Sequence, residues 1–278
     1  MVERLREERT RFHAGAYRHL RPRHLATLGG AWLRDRRGRR RYRMLSEDEV
    51  QALRTSDTAF VFGSGRSLLD LSDAEWERIA GFNTISLREF PRQHWVRADF
   101  HLTGEVDFLD EYARRLRENP LYAETVFVVM GGLYAHMGNE LIARGLLRPG
   151  ARVFRFSRAS RWRYAPPSKT PRRLVHGPNS IFDATNFAYA LGYRRIVLAG
   201  ADYYNKEYFW LPPGQSRPYE AGIDATAPWS QASTVIEMMG RWHDELAADG
   251  VELSVYNPRS LLTERLPVFT WDSCPFQQ

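Results

Sequence analysis

Cysteine is almost missing from this chain: Cys274 is the only one in 278 residues. That excludes an intramolecular disulfide and a cysteine-rich zinc site. Lysine is nearly absent as well, with Lys169 and Lys206 alone, so arginine carries the positive charge. No run of about 18 apolar residues occurs, which leaves no candidate for a membrane-spanning helix. The opening residues, MVERLREERTRF, are densely charged and lack the apolar core of a secretory signal. Together these absences set the expectation of a cytoplasmic protein in a reducing compartment.

What is present suffices for a folded body. A hydrophobic fraction of 43% and an aromatic fraction of 13% supply a core, and 278 residues suit one α/β domain with a small appendage. The charge is uneven. Residues 1–45 hold 14 arginines against Glu3, Glu7, Glu8 and Asp35, a net of +10, whereas the whole chain is +7, leaving −3 for the rest. The body is therefore no basic nucleic-acid surface, and no nucleic-acid partner is expected. Residues 1–54 read as a basic N-terminal arm and residues 55–278 as the main domain. The run Arg34–Arg43 fits a solvated arm packed on the body. It also fits an adhesive patch for an anionic membrane or a polyanionic acceptor.

From residue 55 short apolar runs alternate with amphipathic stretches. Ala59–Phe62 reads as a buried strand ending at Gly63; Thr84–Leu87, Phe100–Thr103, Thr125–Met130, Arg152–Phe156, Arg195–Leu198 and Val251–Tyr256 read as further strands. Ser72 and Glu75 have the spacing of a capping box opening a helix through Ile79. Val106–Arg117, Ser180–Leu191 and Ser233–Ala248 have helical periodicity, the last with Ile236, Met239, Trp242 and Leu246 on one face. This alternation predicts an α/β fold: a single Rossmann-like, mostly parallel sheet with helices on both faces, plus a basic N-terminal helical arm. Ligands of such sheets sit at the carboxyl ends of the strands.

Two turns stand at such ends. Gly63-Ser64-Gly65-Arg66-Ser67 follows the first buried strand. Leu68 holds the place of the third glycine of a dinucleotide fingerprint, and no Gly-Lys-Ser/Thr follows, so the turn is neither that fingerprint nor a Walker loop. A phosphate cradle and a plain tight turn both fit. The second turn is Gly200-Ala201-Asp202-Tyr203-Tyr204, with Tyr208 close behind. Its carboxylate could accept from ribose hydroxyls and its tyrosines could donate to a phosphate. A helix-capping Asp among structural tyrosines fits as well.

Four segments in order carry a resemblance: Gly-x-Gly-x-Ser-Leu at 63–68, NSIFDATNFAYALGY at 179–193, RRIVLAGADYY at 194–204 and YNPRSLL at 256–262. Their order resembles the bacterial CMP-sialic-acid sialyltransferases of glycosyltransferase family 42. It is also similar to the wider group of flagellin-modifying motility accessory factors and archaeal pterin diphosphokinases. The resemblance spans residues 58–265 and leaves the arm out. It implies that Gly63, Ser64, Gly65, Arg66 and Ser67 lie against the nucleotide, and that Asn179 and Ser180 bond its base or phosphate. It implies that Gly200 and Asp202 hold the ribose, that Tyr204 and Tyr208 stabilise the leaving phosphate in place of a metal, and that Asn257–Leu262 pack near the donor. The implied activity is that of an inverting glycosyltransferase without metal or cofactor. It would move a CMP-linked sialic-acid-like sugar to a glycan or lipid-linked acceptor, as in polysaccharide biosynthesis at the inner membrane face.

The sequence departs from that pattern twice. The family places a base histidine in a Gly-His-Ser context ahead of the last long helix, where this chain has Ala227-Pro228-Trp229-Ser230. Asp224 is the nearest substitute; His176 or His243 serves only if folding brings it there. Near Arg88 the family usually has an asparagine, and arginine offers instead a fork of donors to phosphate or carboxylate. Two other functions stay open. A non-catalytic nucleotide- or glycan-binding protein fits the missing histidine. A pterin-diphosphokinase-like phosphotransferase would need ATP and magnesium, and only Glu105-Val106-Asp107 approximates a metal motif. Trp162, Trp210 and Trp229 fit either an acceptor wall or the core.

Overall fold

The short apolar runs become parallel strands. A computed structural model describes residues 30, 33–103, 108–132, 135–160, 165–215 and 224–273. Among them are nine strands: β1 (Arg43–Met44), β2 (Thr58–Phe62), β3 (Asn83–Leu87), β4 (Phe100–Thr103), β5 (Val126–Met130), β6 (Arg152–Ser160), β7 (Arg173–Val175), β8 (Arg195–Ala199) and β9 (Glu252–Val255). They form one sheet in the order β1-β6-β5-β4-β3-β2-β8-β9, with β7 beside β6, and all the pairings are parallel. The strands TAFVF and VFVVM are buried at each residue, without alternation, as a sheet covered on both faces requires.

Helices accompany them: α1 (Glu47–Gln51), α2 (Asp73–Ile79), α3 (Leu109–Glu118), α4 (His136–Ala143), α5 (Ser180–Ala190) and α6 (Ala232–Ala248), and residues 33–38 are helical as well. The expected box of Ser72 and Glu75 opens α2, and an equivalent pair, Ser46 and Glu49, opens α1. On one face of the sheet Val61, Ile85, Leu102, Val128 and Leu198 pack with Phe187 of α5 and Trp242 of α6 in a single cluster. The other face carries two clusters, one with Tyr112 and Ile142 and one with Trp76 and Phe90. Thr84, Ser86, His101 and Thr103 run between them as a buried polar seam. There Ser86 Oγ lies 2.8 Å from His101 Nδ1 and 3.0 Å from the Tyr122 hydroxyl, and His101 Nε2 meets the Tyr112 hydroxyl.

The arm boundary expected at residue 54 does not separate two packing units among the described residues. Strand β1 pairs with β6, and Tyr42, Leu45 and Val50 are buried in the core. Asp35 is wholly buried between Arg39 at 2.7 Å and Arg155 at 2.9 Å. Burial lowers the Arg155 pKa to about 10 against the opposing pull of Asp35, so the carboxylate is what keeps that cation inside. Arg34 and Arg43 form ion pairs with Glu140 and Glu49. Much of the arginine run is thus committed to the body. Residues 1–29, 31 and 32 lie outside the described residues, as do Glu105, Asp107, Trp162 and Cys274.

The strand order fixes where a ligand can enter. From β2 the chain adds β3, β4, β5 and β6 outward in one direction, then returns to add β8 and β9 on the other side of β2. Connections that leave neighbouring strands in opposite directions open a crevice at the carboxyl ends, and here that point is the β2–β8 boundary.

Candidate functional site

The crevice at the β2–β8 boundary is a cleft with about 850 Å³ of empty space, open mouth included. Its floor is Gly63–Gly65 and Gly200–Asp202. One wall is Leu87–Glu89, just past β3, and another is Asn179–Ile181, opening α5. Tyr203, Asn205–Tyr208, Trp210 and Trp229 complete the lining.

The floor is made by two turns pressed together. A Cβ on Gly63 would lie 2.2 Å from the Gly200 carbonyl oxygen, so backbone contact explains that glycine without a ligand. Gly200 has φ +66, and a Cβ there would sit 2.8 Å from Leu68. The Gly63 amide donates to the Ala199 carbonyl at 2.7 Å and the Gly65 amide to the Gly200 carbonyl at 2.8 Å. Two of the amides expected to cradle a phosphate are therefore already engaged. Asp202, only 3% exposed, accepts from the Ser67 amide and hydroxyl and from Asn257 Nδ2 at 3.0 Å. The expected ribose ligand is thus the clamp that joins the first turn, the second turn and the Asn257 segment. Ser67 is committed to that clamp, and Arg66 reaches away to the Leu211 carbonyl at 3.1 Å. Neither lines the cleft.

The walls differ. Asn179 caps α5 through the Ile181 amide at 3.1 Å and donates from Nδ2 to the Tyr203 hydroxyl at 3.0 Å. Its side chain positions the wall, and Ser180 beside it makes no side-chain hydrogen bond to a described residue. Arg88 lines the cleft with φ 51 and forms no hydrogen bond or ion pair with a described residue. Tyr203 has φ 62, and burial raises the pKa of its hydroxyl, which keeps it a proton donor at neutral pH. Tyr203 and Trp229 pack ring to ring at 5.8 Å, as do Tyr208 and Trp210 at 5.7 Å. The Tyr208 backbone bridges to Gly65, and Phe209 donates to the Ser64 carbonyl at 3.2 Å, which folds this segment over the first turn.

Of the expected site residues, the fold brings Gly63, Ser64, Gly65, Arg88, Asn179, Ser180, Gly200, Asp202 and Tyr208 into the lining. It leaves Tyr204 and Asp224 out. The Tyr204 ring faces Arg259 at 6.0 Å and bonds Asn257, because the left-handed Tyr203 turns the chain and sends the two tyrosines different ways. Asp224 is exposed and accepts from the Thr226 amide and hydroxyl at 2.9 and 2.7 Å. Those bonds lower its pKa, the wrong direction for a base. His243 pairs with its neighbour Asp244 on α6. Sequence reasoning named the turn that holds Tyr203 but chose Tyr204 over it, and it missed Glu89, Asn205, Lys206 and Glu207. Nothing in Tyr203-Tyr204 tells which ring turns inward, since that depends on a single backbone angle. Among the described residues no three His, Cys, Asp or Glu side chains converge to hold a metal, and no helix is long and apolar enough to cross a membrane.

No protein-family model matches the chain, and no curated protein matches it. Solved structures do. The chain is similar to the monofunctional α-2,3-sialyltransferase Cst-I from Campylobacter jejuni, at 13% identity and a TM-score of 0.49, over 84% of this chain and 85% of that one. It is also similar to the sialyltransferase CstII from Campylobacter jejuni in complex with the substrate analogue cytidine-5'-monophosphate, at 14% identity and a TM-score of 0.44, over 76% and 84%. A third similar structure is sialyltransferase CST-II with a trisaccharide acceptor and CMP, at 16% identity and a TM-score of 0.48, over 79% and 88%. At such distances the chain's own geometry has to carry the functional reading.

Proposed function

We propose that this chain is an inverting, metal-independent glycosyltransferase that binds a CMP-linked sialic-acid-like sugar in the cleft and passes it to a glycan or lipid-linked acceptor. The observation that carries the reading is where backbone strain lies. Among the described residues only Arg88 and Tyr203 are non-glycine with left-handed φ, and both line the cleft at the sheet's switch point. Such conformations cost on the order of 1–3 kcal/mol each and persist where the surroundings enforce them, which is the habit of binding sites.

The chemistry of the lining supports the same reading. Arg88 offers a planar fork of donors to a phosphate, and the start of α5 presents Ser180 with the positive end of an 11-residue helix. Tyr203 supplies a hydroxyl donor without a permanent charge, and Trp210 and Trp229 supply flat apolar faces for a base or sugar ring. Donors aimed at the phosphate offset the charge that grows on it as the glycosidic bond breaks. Cytidine as the base, and a nonulosonic acid as the sugar, rest on the motif order at 63–68, 179–193, 194–204 and 256–262. The same reading puts the enzyme in the cytoplasm, at the inner membrane face, with the basic N-terminal residues on anionic lipid. Co-sedimentation with anionic and neutral vesicles tests that part separately.

Calorimetric titration with CMP, UMP, GDP and ADP, each with and without Mg²⁺, tests the central claim. The expected result is selective CMP binding that does not depend on the metal. Preference for ADP with Mg²⁺ would point to the phosphotransferase reading instead. A non-catalytic binding protein is the second reading, favoured by Asp224 lying outside the cleft. CMP binding without CMP release from a CMP-sugar would select it.

A further inference from the structure

The transferase reading lacks a base. Among the described residues no histidine lines the cleft: His176 pairs with Asp183, His243 pairs with Asp244, and residues 227–230 include none. Asp224 is outside the lining as well. An acceptor hydroxyl that attacks inside the cleft gives up its proton there, so the group that takes it belongs to the lining. Three of the described lining residues carry a carboxylate: Glu89, Asp202 and Glu207.

Two of the three are committed elsewhere. Glu89 Oε2 accepts from Arg92 Nε at 2.6 Å and from Arg115 of α3 at 3.0 Å, so its charge is shared between two guanidinium groups. Arg92 in turn lies over the Trp210 ring, 4.4 Å from its centroid, which makes Glu89 part of the wall's construction. Asp202 is 3% exposed and closes the floor through Ser67 and Asn257, too enclosed for an acceptor to reach. Glu207 differs on each count. It is half-buried and forms no ion pair with a described residue. Its hydrogen bonds come from neutral donors, the Gly214 amide to Oε1 at 2.7 Å and Asn205 Nδ2 to Oε2 at 3.2 Å. Each donor takes one oxygen, so each oxygen keeps a lone pair for a further donor. Asn205, which holds Oε2, lines the cleft too. The backbone is pinned on both sides, the Lys206 amide donating to the Ala225 carbonyl at 2.8 Å and Tyr208 bridging to Gly65.

We propose that Glu207 is the catalytic base that takes the proton from the attacking acceptor hydroxyl. The proposal rests on the transferase reading of the cleft. In the step, the acceptor oxygen bonds to the anomeric carbon as that carbon's bond to the phosphate oxygen breaks. The bonding pair leaves with CMP, and the hydroxyl proton passes to a carboxylate oxygen of Glu207. A carboxylate suffices, because the hydroxyl becomes acidic only as its oxygen gains the new bond. Inverting glycosidases use a carboxylate in the same way on water. Inversion also sets the base and the leaving group on opposite sides of the anomeric carbon. Glu207 belongs to the 203–210 segment, whereas Arg88 and Ser180, the donors available to the phosphate, stand on the two other walls.

The test uses the full chain with two probes: CMP in calorimetry, and CMP-N-acetylneuraminic acid with lactose, followed as CMP release. Glu207→Gln keeps an acceptor for the Gly214 amide and so protects the local structure; Glu207→Ala opens space for an added carboxylate. The expected result is a fall in kcat of about 100-fold or more in Glu207→Gln, with CMP affinity within about twofold of the parent. Formate should raise the turnover of Glu207→Ala about tenfold and leave the parent unchanged, a rescue that a merely structural defect would not give. CMP binding with turnover unchanged in Glu207→Gln removes Glu207 as the base and leaves the transferase reading standing. Loss of CMP affinity in step with turnover, or an alanine variant that formate does not lift, makes Glu207 structural and also overturns the proposal. A parent chain that binds no CMP, or binds it without ever releasing CMP from the sugar, removes the transferase reading and the base with it.

Discussion

The floor and the walls of the cleft are built on opposite principles. On the floor the glycine amides and the carboxylate have protein partners: Gly63 and Gly65 donate to Ala199 and Gly200, and Asp202 is shared by Ser67 and Asn257. On the walls Arg88 and Ser180 keep donors with no described partner, and the strained backbone of Arg88 and Tyr203 is concentrated there. A buried polar group that is satisfied internally contributes to stability, whereas Arg88 and Ser180 are part-exposed and their donors are open to water or to a ligand. The difference teaches that the glycine-and-acid motifs, which draw the eye in the sequence, hold the cleft together, while donors without a described partner lie on the walls beside them.

The largest effect is expected beneath the Arg88 wall, in the seam where Ser86 meets His101. Burial lowers the His101 pKa to about 3, against an ordinary value near 6.5. Because the folded value is the lower one, the unfolded chain binds the proton more readily, and stability present above pH 6.5 is lost as pH falls toward 3. Between pH 7 and pH 4 this group alone should remove about 3 kcal/mol from the free energy of unfolding. A His101 resonance that titrates near pH 6.5 in the folded protein would overturn this. Next comes the floor. Asp202→Ala leaves the Ser67 amide and Asn257 without their acceptor and should cost about 2 kcal/mol in urea unfolding. A variant as stable as the parent but unable to bind CMP would return Asp202 to the ligand and break the contrast between floor and wall.

The walls should respond the other way. Arg88→Gly relieves the left-handed strain and removes the guanidinium, so CMP affinity should fall about tenfold, or roughly 1.4 kcal/mol, while the unfolding midpoint holds or rises. Unchanged affinity would take Arg88 out of the ligand's reach. Tyr203→Phe deletes the acceptor of Asn179 Nδ2 and should cost about 1 kcal/mol in stability. Turnover should suffer more than affinity if the hydroxyl serves the leaving phosphate; an equal loss in both would place it in ground-state binding. Asp224→Ala comes last, with CMP affinity and turnover expected to stay at the parent's values. A clear loss of turnover in that variant would reinstate Asp224 as a candidate base.

Much of the fold was legible. The expected Phe100–Thr103 strand has those bounds, and the expected runs at 59–62, 84–87 and 195–198 differ from β2, β3 and β8 by a residue at one end. These strands are buried on both sides, so their apolar runs are continuous and hard to misread. The pieces missed are short or polar. Strand β1 is two residues inside a charged stretch, β7 is three residues, and α1 begins with Glu-Asp-Glu. The two strands take their structure from partners far off in sequence, as in the pairing of Met44 with Val153, whereas α1 carries a local capping box of Ser46 and Glu49 that the sequence reading passed over. The site was legible to the level of its two turns. The inward tyrosine and the outward Asp224 were not, because each follows from a local backbone turn that no side-chain pattern encodes.

The pairing of β2 with β8 has a consequence for how the molecule comes into being. Thr58 meets Arg195 across that boundary, 137 residues away. The central strand therefore waits, during synthesis, for a neighbour that emerges only after most of the chain has been made. Until then one edge of β2 and its apolar Ala59–Phe62 run stay uncovered, the condition under which nascent chains pair wrongly or aggregate. Loop closure over such a span slows folding, and the crevice between the two strands cannot precede it. The cleft is thus among the last features to form, and a chain cut short before Arg195 would hold the first glycine turn without the surface against which it closes.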